Sequence, residues 1–298
     1  MPRLLTVFIT KPGPDCRRSY KTLLRLLLLV LMLGNAACTR FFFFPYKEYA
    51  GTPEDLGYQY EDIYLAAADG TRLHGWLIPA RADKPRGTVY FLHGNAENIS
   101  THIRSVLWLV VQGFDVFALD YRGFGKSEGK PDVPEVFEDI DAGAKWVLDY
   151  STQRGAGKPV LFGQSIGASL AISYLADNPA IKARFGGLIS EGAFSRYDTI
   201  AQHVLAGSWV TWLFQYPAGW VLPDAYDPLN AVASLAPLPV MIVHSVDDEI
   251  IPFAESLKLY EGLAEPRAFL PADGPHIHAI RNPETRRKML SFIESLPP

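Results

Sequence analysis

The chain has 298 residues, enough for one large α/β domain or two small ones. Hydrophobic residues make up 48% and charged residues 20%, the composition of a globular protein with a sizeable core. The net charge of −4 offers no excess of positive charge for nucleic acid, so neither a nucleic-acid partner nor an acidic substrate is expected.

The first segment predicts a lipoprotein-type signal peptide over residues 1–37. A basic patch precedes the unbroken apolar run 26–33, which is shorter than the roughly 20 residues that span a bilayer and suits a secretory signal. Small residues then lead to Cys38, and this "AAC" stretch resembles the end of a bacterial lipobox. Cys16 and Cys38 are the only two cysteines, so a mature chain starting at Cys38 has no disulfide partner.

This cysteine pattern favours a lipidated Cys38, with the protein anchored outside the cytoplasm, over a secreted chain with a free thiol. Residues 38–58 are then a membrane-proximal tether, and residues 59–298 are the folded domain. The tether contains "FFFFPY" at 41–46. This segment either rests at the membrane interface or packs on the domain.

Strands and helices alternate along the domain. Two strands within 61–80 meet at the Asp69–Gly70 turn. Further strands are predicted at 87–94, 114–120, 158–162, 185–190, 238–244 and 266–272, and helices at 104–113, 133–150, 166–176 and 283–296. The alternation indicates a mostly parallel sheet with helices on both faces and chemistry at the carboxyl ends of its strands. The aromatic-rich stretch 199–225 predicts a small helical cap over the sheet.

Two stretches have the pattern Gly-x-Ser-x-Gly, "GKSEG" at 125–129 and "GQSIG" at 163–167. Such a serine acts as a nucleophile when a strand precedes it directly and a helix follows, with glycines where backbones pass too close for side chains. GQSIG meets this requirement. GKSEG is followed by prolines that bar an immediate helix, and its charged neighbours suit a solvated loop. Ser165 is therefore the predicted nucleophile and Ser127 a bystander.

A serine nucleophile needs a base and an orienting acid, which follow it in the order Ser, acid, His in this architecture. Asp247 and Asp248 follow the strand at 238–244, and His276 and His278 follow the strand at 266–272. The residues alone leave both choices open.

An oxyanion formed at Ser165 also needs hydrogen-bond donors. The N–H of Ile166, directly after the nucleophile, is one expected donor, and the N–H of Asn95, in the loop after the strand at 87–94, is the other. His93 precedes the serine in the chain and is interpreted as structural.

The motifs "HGNAENIS", "DYRGFGKSEG", "GQSIGA", "HSVDDEIIPF" and "GPHIHAI" resemble the successive signatures of the α/β-hydrolase superfamily. They are most similar to the branch with bacterial lipoprotein hydrolases and eukaryotic protein-depalmitoylating hydrolases. The resemblance implies the α/β-hydrolase fold over about 59–298. In that family the catalytic acid lies at a fixed spacing between a histidine and a proline. His244 and Pro252 match these two positions, so the resemblance selects Asp248 as the acid. Its base motif selects His276, but "DGPHIH" departs from the usual pattern and keeps His278 as the second choice.

The sequence therefore predicts a serine hydrolase that cleaves carboxylic esters or thioesters through an acyl-enzyme. This reaction needs no metal or organic cofactor. The expected partners are an acyl substrate and, through Cys38, a membrane. A peptidase or aminopeptidase-like amidase is the first alternative, and a non-catalytic envelope binding protein is the second.

Overall fold

The computed structural model describes residues 40, 42–206 and 224–297 of the chain. The predicted signal peptide 1–37, Cys38 and positions 207–223 of the predicted cap lie outside these residues.

Within the described residues the strands are β1 Phe44–Pro45, β2 Glu61–Ala66, β3 Arg72–Ile78, β4 Gly87–Leu92, β5 Ala96–Glu97, β6 Phe114–Asp120, β7 Val160–Gln164, β8 Gly187–Glu191, β9 Val240–Ser245 and β10 Arg267–Ala272. Eight of them form one sheet in the order β10-β9-β8-β7-β4-β6-β3-β2. β3 is antiparallel to both of its neighbours, and the remaining pairs are parallel. The short strands β1 and β5 pair with each other, in parallel, outside this sheet.

The α-helices of the described residues are α1 Ile99–His102, α2 Leu107–Val111, α3 Glu135–Arg154, α4 Ile166–Asp177, α5 Pro179–Lys182, α6 Tyr197–Ala206, α7 Pro228–Ala231, α8 Phe253–Gly262 and α9 Pro283–Ser295. Single turns of 3₁₀-helix occur at Glu54–Leu56, Ile103–Ser105, Asp224–Tyr226, Val232–Leu235 and Ala279–Arg281. In the described ranges, none of the helices is both long and apolar enough to cross a bilayer.

The sheet is covered on both faces, as its continuous apolar strands predict. In β4, Tyr90 and Leu92 point into one core with residues of α3 and α4. Val89 and Phe91 point into a second core with residues of α1, α2 and α9. Successive side chains of a strand face opposite sides, so a central strand such as β4 is apolar over most of its length to fill both cores. The predicted fold class, a mostly parallel sheet between two helical layers, is confirmed.

The strand order of the sheet reverses at β4, because the next strands of the chain are added on opposite sides of it. This strand lies between β6, which follows it, and β7, which comes later on the other side. A crevice opens at the carboxyl end of a parallel sheet where the strand order reverses, and ligands bind there. The loop after β4 and the turn after β7 flank this crevice.

The segment 42–50 lies against the domain. Phe43 is buried, and the ring of Phe42 packs edge-on against Tyr197 at a centroid distance of 5.2 Å. Phe44 and Tyr46 are exposed. Of the two arrangements predicted for "FFFFPY", Phe42 and Phe43 therefore adopt the packed one.

Candidate active site

Ser165 lies on a strained turn between β7 and α4. Its φ of 55° and ψ of −123° belong to a region that residues with a side chain rarely adopt. Such a conformation costs on the order of 1–3 kcal/mol and persists only where the surroundings enforce it. Here the Ser165 N–H donates to the Glu191 carbonyl at 2.8 Å, and the Ser165 carbonyl accepts from the Ala168 N–H at 3.0 Å.

The two glycines of "GQSIG" permit this turn. A Cβ at Gly163 would lie 2.5 Å from the Ala168 Cα, and one at Gly167 would lie 2.4 Å from the Leu92 carbonyl oxygen. Both neighbours are backbone atoms of packed elements, which cannot move aside as a flexible side chain does. The glycine positions are therefore required by close approach of backbones.

Three predicted side chains meet at this turn. The Nε2 atom of His276 lies 2.9 Å from the Ser165 Oγ, and its Nδ1 lies 2.6 Å from the Asp248 Oδ2. A carboxylate can only accept, so the ring carries its proton on Nδ1 and offers the Nε2 lone pair to the serine hydroxyl. This is the arrangement in which a histidine removes a serine proton.

Asp248 is held from two sides. Its Oδ1 accepts from the N–H groups of Ile250 and Ile251 at 2.9 and 2.8 Å. On the other side, Nε2 of the fully buried His244 lies 3.3 Å from Oδ2. Burial raises the pKa of the Asp248 carboxyl, but hydrogen bonds from His244 and His276 outweigh this effect and hold the pKa well below its usual range. Asp248 is therefore ionised at neutral pH.

The alternatives Asp247 and His278 point elsewhere. Asp247 Oδ2 accepts from the Gly274 N–H at 3.2 Å, in the turn before His276. His278 directly precedes the 3₁₀ turn Ala279–Arg281, and burial lowers the pKa of its imidazole. In the described part of the chain, neither side chain hydrogen-bonds to Ser165, whereas His276 does.

Of the two expected oxyanion donors, Ile166 directly follows Ser165, and Asn95 follows a glycine that lies beside Ser165. Ile166 is the first residue of α4, so its N–H belongs to the helix N-terminus. Asn95 follows Gly94, at which a Cβ would lie 3.6 Å from the Ser165 Cβ. Among the described hydrogen bonds neither amide N–H has a partner, which leaves both available to a ligand.

A buried carboxyl group next to this site has no counterpart in the sequence predictions. Glu191, the last residue of β8, accepts from the Gln164 Nε2 at 2.6 Å and from the Ala279 N–H at 3.2 Å. It thereby joins the turn that carries Ser165 to the loop that carries His276. Burial raises the pKa of Glu191 above its ordinary value. A glutamate at the end of an apolar strand is the only sequence signal for this role.

The second serine is placed differently from its prediction. Lys126 and Glu128 are exposed, as in the solvated loop that was expected, but Ser127 itself is fully buried. Its hydroxyl donates to the Asp120 carbonyl at 2.7 Å and accepts from the His74 N–H at 2.8 Å. The expectation of solvation is wrong for Ser127, because the loop uses its hydroxyl to satisfy the end of two strands.

His93 has the structural environment that was expected. It is fully buried, its Nδ1 lies 2.7 Å from the Gly94 carbonyl oxygen, and burial lowers its pKa to about 4. The remaining predicted site residue, Cys38, lies outside the described residues.

Comparison with known proteins places this geometry in context. A family model described as serine aminopeptidase, S33, matches residues 83–223. The uncharacterized protein YfhR of Salmonella typhi is 34% identical over 304 residues, covering 94% of this chain and 96% of its own length. The α/β-hydrolase domain-containing protein WAV2 of Arabidopsis thaliana is 29% identical, covering 72% of this chain and 70% of its own. An esterase from Pyrococcus furiosus superimposes with a TM-score of 0.69 at 23% identity, covering 86% and 98% of the two chains.

Proposed function

The chain belongs to the α/β-hydrolase superfamily, and on this premise we propose that it is a serine hydrolase of carboxylic esters or thioesters. The observation that carries the proposal is the continuous hydrogen-bonded chain from Ser165 through His276 to Asp248. These residues follow β7, β10 and β9, at the edge of the sheet where such chemistry collects.

In the acylation step, Ser165 Oγ attacks the substrate carbonyl carbon while His276 Nε2 takes the hydroxyl proton. The carbonyl oxygen becomes an oxyanion and accepts hydrogen bonds from the Asn95 and Ile166 N–H groups. Asp248 stabilises the imidazolium that forms. The carbon–oxygen or carbon–sulfur bond then breaks, and Nε2 returns the proton to the departing alcohol or thiol.

In the deacylation step, water attacks the acyl-enzyme carbonyl while His276 Nε2 takes one of its protons. The bond to Ser165 Oγ breaks, Oγ recovers that proton, and the carboxylic acid leaves. No step in this sequence uses a metal or an organic cofactor.

A second candidate reaction is amide hydrolysis by a peptidase, favoured by the description of the matching family model. The similarity in fold to the esterase from Pyrococcus furiosus is the argument for ester cleavage, and it is a similarity of fold alone. A panel of p-nitrophenyl esters, acyl thioesters and aminoacyl amides separates the two. Cleavage confined to the amides would overturn the esterase proposal.

A fluorophosphonate probe tests the nucleophile directly. We expect wild type and Ser127→Ala to be labelled and Ser165→Ala not to be. An unlabelled wild type would favour a non-catalytic binding protein, and a labelled Ser165→Ala would show that another nucleophile reacts. The base is tested in the same way: His276→Ala should lose ester hydrolysis, and His278→Ala should retain it.

We also propose that the mature chain begins at a lipidated Cys38 and is anchored outside the cytoplasm. The support is the sequence pattern before Cys38 and the absence of a second cysteine after it. The alternative is a secreted chain cleaved near the same point.

A further inference from the structure

The segment 42–50, which we call the N-terminal strap, is bonded to the loop that carries Asn95. The Phe44 N–H donates to the Asn95 carbonyl at 2.7 Å, and the Tyr46 N–H donates to the Glu97 carbonyl at 2.9 Å. These bonds belong to the parallel pair β1–β5, in which Phe44 lies opposite Ala96. The strap precedes the predicted domain in sequence, yet it reaches the proposed oxyanion loop.

This loop needs support from outside. Glu97 has a φ of 63°, the left-handed region that a residue with a side chain adopts at a cost. The carbonyls that accept from the strap belong to Asn95, directly before the short strand β5, and to Glu97, its last residue. The bond from Phe44 fixes the peptide that joins Asn95 to Ala96, and with it the position of the Asn95 Cα, which also carries the proposed donor N–H.

The strap is itself firmly attached. The Asn98 side chain donates from Nδ2 to the carbonyls of Tyr46 and Glu48 at 3.1 and 2.8 Å. Farther along, the Tyr49 hydroxyl donates to the buried Asp120 at 2.7 Å. At the other end, Phe43 is 5% exposed and packs edge-on against Phe124. A strand held at both ends can act as a fixed template for the loop beside it.

We propose that the N-terminal strap positions the oxyanion hole, with the main-chain N–H of Phe44 as the positioning group. The inference rests on the proposed function, because it assigns the strap a role in that reaction. Phe44 touches no reacting atom and acts through Asn95. An oxyanion exists only near the transition state, so loosening the loop lowers kcat and leaves KM nearly unchanged.

The main test compares Phe44→Pro, which removes the N–H, with Phe44→Ala, which keeps it and trims an exposed ring. Removal of an oxyanion donor costs about 10²–10³-fold in kcat, and misplacement of one should cost about tenfold or more. With p-nitrophenyl butyrate we expect this loss of kcat in Phe44→Pro at a KM close to wild type. Phe44→Ala should stay within about twofold of wild type, since it keeps the bond to Asn95.

Asn98→Asp serves as a second variant in case Phe44→Pro does not fold. It keeps the oxygen that caps α1 but turns the donor to the strap into an oxygen facing two carbonyls. We expect the same selective fall in kcat, weaker binding of a trifluoromethyl ketone transition-state analogue, and faster amide exchange at residues 95–97.

The outcomes separate two failures. If wild type neither hydrolyses esters nor reacts with fluorophosphonate, the proposed function fails, and this inference fails with it. If wild type is active and a folded Phe44→Pro matches Phe44→Ala in kcat, the positioning role alone is overturned. If Phe44→Pro does not fold, an unchanged kcat in Asn98→Asp overturns it.

Discussion

At the scale of single residues, the arrangement of donors around Asp248 determines which proton His276 carries. Replacing Asp248 by Asn leaves one oxygen, which the Ile250 and Ile251 N–H groups require. The new NH₂ group then faces His276 and donates to Nδ1. The ring must carry its proton on Nε2, where it can no longer accept the Ser165 proton.

Asp248→Asn should therefore lower kcat by about 10³–10⁴-fold with the fold intact. Asp247→Asn is the matched control, since Asp247 contacts the Gly274 turn and should remain close to wild type. Steady-state ester hydrolysis and far-UV circular dichroism measure the two effects. Equal losses in the two variants would contradict the assignment of Asp248.

The raised pKa of Glu191 leads us to expect that the stability of the protein depends on pH. Burial raises the folded-state pKa of this carboxyl group, although hydrogen bonds from Gln164 and the Ala279 N–H partly lower it. A raised pKa means that its contribution to the free energy of unfolding is complete below the unfolded pKa of about 4.5 and is lost as the pH rises through the folded pKa. Glu191→Gln has no such titration.

Urea unfolding of wild type and Glu191→Gln from pH 4.5 to pH 7.5 tests this prediction. Wild type should lose stability relative to the variant as the pH rises, because other titrating groups cancel in the difference. A difference in unfolding free energy that stays constant over the range would show that Glu191 is not perturbed.

The residues of the candidate site were predictable to different degrees. Ser165 stands out in the sequence because strand, glycines and helix surround it within a few positions. The residues alone narrowed the acid and the base only to pairs, Asp247 or Asp248 and His276 or His278, because a shift of one or two residues decides which side chain turns inward. Only the family resemblance selected Asp248 and His276. Glu191 could not be predicted, since its role depends on three distant backbone segments converging around one carboxyl group.

At the scale of elements, the turn between β7 and α4 depends on contact between backbones. Gly163→Ala and Gly167→Ala each place a methyl group about 2.5 Å from backbone atoms. Overpacking of this kind costs about 1–3 kcal/mol, and it should also displace Ser165 from His276. We expect lower unfolding free energies and slower fluorophosphonate labelling.

The control for these two variants is Gly186→Ala, whose added methyl group would meet its nearest atom at 3.4 Å, an ordinary contact. Its unfolding free energy and labelling rate should stay near wild type. If Gly163→Ala and Gly167→Ala are labelled at the wild-type rate, the turn can accommodate a methyl group without displacing Ser165.

Elements were predictable where they are long and regularly patterned. Most strands of the large sheet follow from apolar runs, and the start of α3 follows from the acidic residues of its first turn. The helix continues to Arg154, beyond the end at 150 that the sequence predicts. Helix α8, "FAESLKLYEG", which lies between two strands in the chain, was not predicted. The pair β1–β5 was beyond prediction, since two-residue strands leave no pattern and form only through distant pairing.

At the scale of the whole molecule, the strap follows the proposed anchor, Cys38, closely in the sequence. Cys38 is four residues before Phe42, and four extended residues span at most about 14 Å. A lipid on Cys38 would therefore hold the strap, and the oxyanion loop bonded to it, close to the membrane surface. Such an enzyme would meet acyl groups presented at that surface.

Replacing Cys38 by Ser tests the anchor. The hydroxyl cannot be lipidated in place of the thiol, and no helix of the described residues could hold the chain in a bilayer instead. We expect wild type in the membrane fraction and Cys38→Ser released from it. Hydrolysis of a water-soluble ester should be unchanged, because Cys38 precedes the strap residues that contact the oxyanion loop. If Cys38→Ser stays in the membrane fraction with wild type, Cys38 is not the anchor, and if both proteins are soluble, the secreted alternative holds.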